Sequence, residues 1–143
     1  MQEYLDFAAN NPLLTAAWFG LAGTLIYTTM RARFSPVKAV NNHAATMLIN
    51  RENAVVVDIR TIDEFGRGHL AGAHNLIMSQ IQENNLGQVE KHKDDPIIVV
   101  CETGMSANAA ARALHKHGFK RVYTLAGGMA QWRADNLPVT KKR

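Results

Sequence analysis

The chain of 143 residues is long enough for one domain with a hydrophobic core and too short for two domains of ordinary size. Its formal net charge is +4, and because the first 30 residues hold two acidic and no basic side chains, the remainder carries 16 basic against 10 acidic ones. Such a surface suits an anionic membrane or small anions, and the absence of Lys and Arg runs interleaved with aromatic residues argues against a nucleic-acid groove.

The first predicted element is a membrane-spanning helix. Residues 7–30 carry no charge, and an apolar helix of about 20 residues spans the hydrocarbon core of a bilayer. Pro12 suits the first helical turn, and a preceding Asn can cap it. We therefore expect residues 12–30 to lie in the membrane, with residues 1–36 forming the anchor and its linker.

The flanks of this helix predict its orientation. Arg31, Arg33 and Lys38 follow the apolar segment at once, whereas the preceding flank is acidic. The positive-inside rule then gives a single-pass protein of the cell membrane, with its N-terminus outside and its C-terminal domain in the cytoplasm. A cleaved signal peptide or a buried core helix is the competing interpretation, and the acidic start lacks the basic n-region of a signal peptide.

From residue 37 onward, apolar runs alternate with helical patterns. This alternation predicts an α/β domain over residues 37–143, with a central, mostly parallel sheet flanked by helices. The predicted strands are residues 37–40, 54–59, 74–76, 97–101 and 122–125. The predicted helices lie near residues 44–49, 61–66, 79–91, 106–117 and 128–135. The second and fourth strands are continuously apolar and β-branched, which is typical of strands buried on both faces at the centre of a sheet.

The single thiol of the chain, Cys101, lies where a predicted strand ends and an Ala-rich helix begins. Ligands of open α/β sheets bind at the C-terminal ends of strands, and Asp58 lies at another such end. The N–H groups of a tight loop and of the following helix can stabilise a thiolate, and Gly104 permits the turn. Thr103 and Ser106 can add hydroxyl donors to a charged sulfur species. The alternative is a small buried core cysteine, since free Cys is among the most buried residue types.

The cysteine and histidine pattern gives no metal site. One cysteine provides no internal disulfide, no cysteine zinc cluster and no resolving thiol. Six histidines are scattered, and His115 and His117 would point to different faces of a helix. We expect no metal and no cofactor.

Two segments on either side of the cysteine loop resemble the signatures of the rhodanese family. Residues 57–76 read VDIRxxxEFxxGHLxGAxNL, and residues 118–132 read GFxxVxxLxGGxxxW. With a Cys-x-x-Gly loop between them, the resemblance covers roughly residues 38–139. It implies the rhodanese fold, sulfurtransferase activity and Cys101 as the residue that becomes a persulfide. It also implies that the terminal sulfur is surrounded by the amides of a loop formed by Glu102, Thr103, Gly104, Met105, Ser106 and Ala107.

Asp58, Arg60 and His69 of the first signature are candidates for a supporting role at the site. Asp58 is best positioned to contact the loop, and hydrogen bonding to nearby backbone N–H groups is the alternative. Arg60 and Glu64 have the i, i+4 spacing of an ion pair on a short helix. His69 is interpreted as a residue that fixes a turn, and Trp132 as a core residue.

The charge of the cysteine loop departs from the family pattern. Rhodaneses that favour thiosulfate often carry Arg or Lys in this loop, whereas this loop offers Glu102 and no cation. Repulsion between Glu102 and a doubly charged donor predicts weak use of thiosulfate and a preference for a persulfide such as glutathione persulfide.

The sequence thus predicts a membrane-tethered sulfurtransferase. Cys101 would carry a persulfide sulfur from a small sulfur donor to an external thiol or to cyanide. The alternative is a membrane-anchored rhodanese-fold module that binds a membrane-protein or peripheral partner with little or no turnover. The cysteine in its Gly-containing loop favours the enzyme, while the acidic loop and the tether favour the module.

Overall fold

The N-terminal part of the chain is helical. The computed structural model describes residues 1–141, and the chain divides into one unit of Met1–Ser35 and a second that begins at Pro36. In the first unit, α1 (Gln2–Asn10) and α2 (Pro12–Arg33) are separated by Asn11, whose backbone leaves the helical region at φ −130° and ψ 62°. A residue that precedes proline disfavours the helical conformation, so Pro12 ends one helix and begins the next. Helix α1 is an element that the sequence analysis does not predict.

Helix α2 has the length and composition of a membrane span. The span from Pro12 to Arg31 contains an 18-residue window with a mean hydropathy of 1.3, and none of that window is buried within the protein. At about 1.5 Å per residue, the helix is about as long as the roughly 30 Å hydrocarbon core of a bilayer. It begins at Pro12, as predicted, and its last turn contains Arg31 and Arg33.

The second unit is built on a five-stranded parallel sheet. Its strands lie in the order β1-β5-β4-β2-β3, and every neighbouring pair is parallel. The strands are β1 (Val37–Val40), β2 (Val55–Asp58), β3 (His74–Asn75), β4 (Pro96–Val100) and β5 (Arg121–Leu125). All five residues of the central strand β4 are buried. The predicted fold class is therefore confirmed, and both strands expected near the centre lie inside the sheet.

Helices cover both faces of this sheet. They are α3 (Asn42–Glu52), α4 (Ile62–Arg67), α5 (Met78–Gln82), a 3₁₀ helix (Gly87–His92), α6 (Ala107–Lys116) and α7 (Gly128–Ala134). Because side chains alternate along a strand, Ile97 and Val99 of β4 pack with the buried face of α6 in one core cluster. Ile98 and Val100 pack with Met129 and other residues of α3 and α7 in a second cluster on the opposite face.

One predicted helix is wrong. Residues 79–91 form the short helix α5, a turn and the 3₁₀ helix, rather than a continuous helix. The break lies at Asn84 and Gly87, which have φ values of 56° and 53°. Asn and Gly adopt this left-handed conformation more readily than other residues, and an α-helix cannot continue through it.

The C-terminal segment returns across the domain. The indole Nε1 of Trp132 donates to the carbonyl of Pro138 at 3.0 Å. The backbone of Thr140 then forms two hydrogen bonds with that of His69, an antiparallel bridge that the sequence analysis does not predict. Trp132 is 5% exposed, so its assignment to the core is correct.

Candidate active site

Cys101 follows the last residue of β4 and is buried. It is 3% exposed, and its Sγ accepts a hydrogen bond from the backbone N–H of Gly104 at 3.0 Å. Gly104 has a φ of 89°, which permits the turn that brings its N–H back to the sulfur. A sulfur at the end of a parallel strand, with a backbone donor aimed at it, can be held as an anion.

Helix α7 anchors the backbone of the cysteine loop through two hydrogen bonds. The N–H groups of Met129 and Ala130 donate to the carbonyls of Cys101 and Glu102, each at 2.9 Å. A Cβ at Gly128 would lie 2.3 Å from the Cys101 oxygen, so only glycine allows this approach. The second signature motif therefore fixes the position of the loop that carries the thiol.

A buried ion pair supports the loop from the other side. Asp58 and the side chain of Arg60 are 1% and 4% exposed, and Nε and Nη2 of Arg60 donate to Oδ1 and Oδ2 of Asp58 at 3.0 and 2.7 Å. Nη2 also donates to the carbonyl of Gly68 at 2.7 Å. Burial lowers the pKa of Arg60, but its hydrogen bond and charge interaction with Asp58, together with Glu102, raise it above the ordinary value.

The predicted ion pair between Arg60 and Glu64 is wrong. Arg60 turns to Asp58 because the two bonds there satisfy a buried guanidinium, while Glu64 accepts from the backbone N–H and hydroxyl of Thr61 in a capping box. Asp58 also accepts from the backbone N–H of Arg60 at 3.0 Å, which is the alternative that the sequence left open. Within the part of the chain that the structure describes, the Asp58 side chain bonds to Arg60, which in turn contacts Glu102 of the cysteine loop.

Glu102 is compensated by two arginines. Nη1 of Arg60 lies 3.3 Å from Oε2 of Glu102, and Nη2 of Arg133 on α7 contacts Oε1. The loop itself carries no cation, as its sequence shows, but two arginines from distant parts of the chain offset the charge of Glu102. Repulsion of thiosulfate by Glu102 is correspondingly weakened.

The remaining predicted residues differ in their surroundings. Thr103, Met105 and Ser106 are exposed, and within residues 1–141 the Gly104 N–H is the only hydrogen-bond donor to Sγ. Ala107 is fully buried and begins α6.

His69 contacts residues around the turn that follows α4. It is 8% exposed, its Nδ1 donates to the carbonyl of Phe65 at 2.7 Å, and its ring stacks on that of Phe65. Its backbone pairs with Thr140 in the C-terminal bridge. These contacts agree with the interpretation of His69 as a residue that fixes a turn.

A cleft of about 440 Å³ adjoins the loop and contains residues that the sequence analysis missed. Arg67 and Arg133 line it together with Arg60, Glu64 and Glu102. Arg133 directly follows the last residue of the second signature, which is the one local signal that could have drawn attention to it. Among residues 1–141 there is no cluster of three or more His, Cys, Asp or Glu side chains that could hold a metal ion.

Comparisons with known proteins agree with this geometry. Residues 41–135 match the model of the rhodanese-like domain. The chain is 45% identical to the uncharacterized protein YibN of Escherichia coli strain K12 over 141 residues, 99% of each chain. It is 33% identical to the thiosulfate sulfurtransferase GlpE of Coxiella burnetii over 99 residues, covering 69% of this chain and 90% of the relative. The rhodanese-related protein of Thermoplasma volcanium shares the fold with a TM-score of 0.60 and 24% identity, over 73% of this chain and 99% of that one.

A parallel five-stranded sheet with a cysteine loop held between two signature motifs defines a rhodanese-type domain. The chain belongs to the rhodanese-like domain family. Its relatives include sulfurtransferases, whereas YibN, which matches 99% of this chain, is uncharacterized.

Proposed function

We propose that this protein is a membrane-tethered sulfurtransferase in which Cys101 carries the sulfur as a persulfide. The observation that carries the proposal is the hydrogen bond from the Gly104 N–H to Sγ in a loop anchored by α7. Backbone donors that are fixed before the reaction stabilise a charged sulfur without reorganisation. Glu102 to Ala107 form the proposed persulfide loop, and Asp58 and Arg60 support it.

The reaction has two half-steps. The Cys101 thiolate forms a bond to the sulfane sulfur of the donor, and the bond joining that sulfur to the donor breaks, releasing sulfite from thiosulfate or a thiolate from a persulfide. An external thiolate or cyanide then attacks the outer sulfur, and the electron pair of the breaking bond returns to Sγ. Cys101 is the only cysteine of the chain, so the acceptor must be a separate molecule.

The N-terminal unit is proposed to anchor this domain. Residues 12–30 would cross the cell membrane once, and residues 37–143 would form the catalytic domain on the cytoplasmic side. The apolar helix and the basic residues Arg31 and Arg33 after it support this arrangement.

The second candidate is an interaction module with little turnover that binds a membrane-protein partner. The low exposure of Cys101 and the occupation of the neighbouring cleft by Glu102 favour this second function.

Mass spectrometry separates the two functions. If the protein is a sulfurtransferase, purified protein incubated with thiosulfate or glutathione persulfide should gain one sulfur atom on Cys101 and lose it to an added thiol.

The variant Cys101→Ser tests the nucleophile itself. Serine is nearly isosteric and its hydroxyl can accept from Gly104, so the thermal midpoint should change little while sulfur transfer is abolished. A wild-type protein that never gains sulfur, or a Ser variant that still transfers it, would refute the proposed enzyme.

A further inference from the structure

The cleft beside the cysteine loop already holds a carboxylate between arginines. The two oxygens of Glu102 contact Arg60 and Arg133, and Arg67 lines the same space. Arginine is a preferred partner of carboxylates, and here each of two arginines places one Nη group against one oxygen of a carboxylate that belongs to the protein itself.

The members of this cluster differ in their freedom to exchange partners. Arg60 is 4% exposed and is held by Asp58 and Gly68, so its position is fixed from behind. The side chains of Glu102 and Arg133 are 39% and 48% exposed. An incoming carboxylate can therefore reach Arg133 from the solvent side and take the place of Glu102 on it.

Glu102 directly follows Cys101 in the chain, so the cleft borders the loop that holds the sulfur. We propose that Arg133, together with Arg60 and Arg67, binds the carboxylate of the small thiol that exchanges sulfur with Cys101. Glu102 occupies this position in the empty site and competes with that carboxylate. The inference rests on the proposed sulfurtransferase function and adds to it a substrate class, carboxylate-bearing thiols, together with the residues that select it.

The test uses the full-length protein in detergent with Cys101 loaded from inorganic polysulfide. The discharge of the persulfide by N-acetylcysteine and by its uncharged amide is followed by mass spectrometry. The ratio of the two rate constants measures the preference for a carboxylate. Comparing this ratio between variants cancels the intrinsic reactivity of each thiol, because the same two thiols meet every variant.

Arg133→Gln should lower the carboxylate preference about fivefold, as expected for one partly exposed charged contact. Arg133→Lys should retain part of it, because the charge remains while the planar guanidinium is lost. Glu102→Gln should raise the preference by removing the internal competitor, and added salt should reduce it. Arg51→Gln, on the exposed surface of α3, is the matched control and should leave the ratio unchanged.

The outcomes separate this inference from the proposed function. If Cys101 cannot be loaded or discharged, the sulfurtransferase proposal fails and this inference fails with it. If loading and discharge proceed but neither Arg133→Gln nor Glu102→Gln changes the ratio, only the carboxylate site is overturned.

Discussion

At the residue scale, the charge of Arg60 is shared among acceptors from three segments. Asp58 takes two of its donors, Gly68 accepts from it through a carbonyl, and Glu102 lies at the exposed end of the guanidinium. A buried charge is tolerated only when it is paired and hydrogen-bonded, so this cluster depends on each of its members. It also links the end of β2 to the cysteine loop.

The first prediction concerns the buried carboxylate of this cluster. Asp58→Asn keeps the shape of the side chain but leaves Arg60 without its compensating charge, which should lower the free energy of unfolding by about 3 kcal/mol. Urea unfolding measures this loss. Asp63→Asn in the exposed first turn of α4 is the control and should change stability by less than about 1 kcal/mol, the usual size of a charge effect at a helix N-terminus. Equal effects of the two substitutions would contradict a special role for the buried pair.

At the element scale, the start of α7 and the cysteine loop are packed backbone against backbone. The second prediction is that Gly128→Ala displaces this contact, because its Cβ would lie 2.3 Å from the Cys101 oxygen and 2.6 Å from the Glu102 oxygen at a φ of 58°. We expect a loss of more than about 2 kcal/mol of unfolding free energy and slower sulfur loading of Cys101.

A second glycine provides the control for that substitution. Gly66 lies within α4, and a Cβ there would meet no atom within 4 Å. Gly66→Ala should therefore stabilise the protein by roughly 0.5–1 kcal/mol through helix propensity and leave sulfur loading unchanged. A Gly128→Ala protein as stable and as reactive as the Gly66→Ala protein would show that α7 does not position the loop.

The third prediction concerns the capping box of α4. Hydrogen bonds from the Thr61 hydroxyl and, next, its backbone N–H lower the pKa of Glu64. A carboxyl whose folded pKa is depressed stabilises the fold above its unfolded pKa and loses that contribution as the pH falls through the folded value. Glu64→Gln should therefore be less stable than the wild type at neutral pH, and the difference should close in acid. Thermal midpoints of the wild type and the variant across pH 2.5–7 test this prediction, with Glu83→Gln at an exposed position as the control. A stability difference between wild type and Glu64→Gln that widened in acid would contradict the lowered pKa of Glu64.

At the scale of the whole molecule, the sequence predicts the sheet better than the site. Each buried strand has its own signal, a short β-branched run such as residues 97–101, because burial on both faces demands such residues. The contacts of Glu102 have no local signal. Its partners Arg60 and Arg133 lie 42 and 31 residues away and meet it only once the strands and helices have assembled.

Local signals also fail where a turn interrupts a helical pattern. Residues 79–91 contain enough helix-forming residues to suggest one helix, but Asn84 and Gly87 take positive φ and break it. The long helix α2 is predictable because a run of uncharged, mostly apolar residues after Pro12 sets both its start and its length. Helix α1 is too short for its pattern to stand out from the sequence around it.

The last prediction concerns the placement of the whole chain across a membrane. An apolar helix with Arg31 and Arg33 at its C-terminal end should keep the protein in the membrane pellet after alkaline carbonate washing, because the helix is held by hydrocarbon rather than by surface charge. A chain beginning at Lys38 should be soluble.

The orientation of the chain is tested in the Cys101→Ser background with one new thiol, either Gln2→Cys in the N-terminal unit or Gln88→Cys on the exposed surface of the domain. In cells whose cytoplasmic membrane is intact, an impermeant maleimide should label the first and reach the second only after that membrane is lysed. Release of the full chain by carbonate would refute the anchor, and labelling of Gln88→Cys in unlysed cells would reverse the orientation.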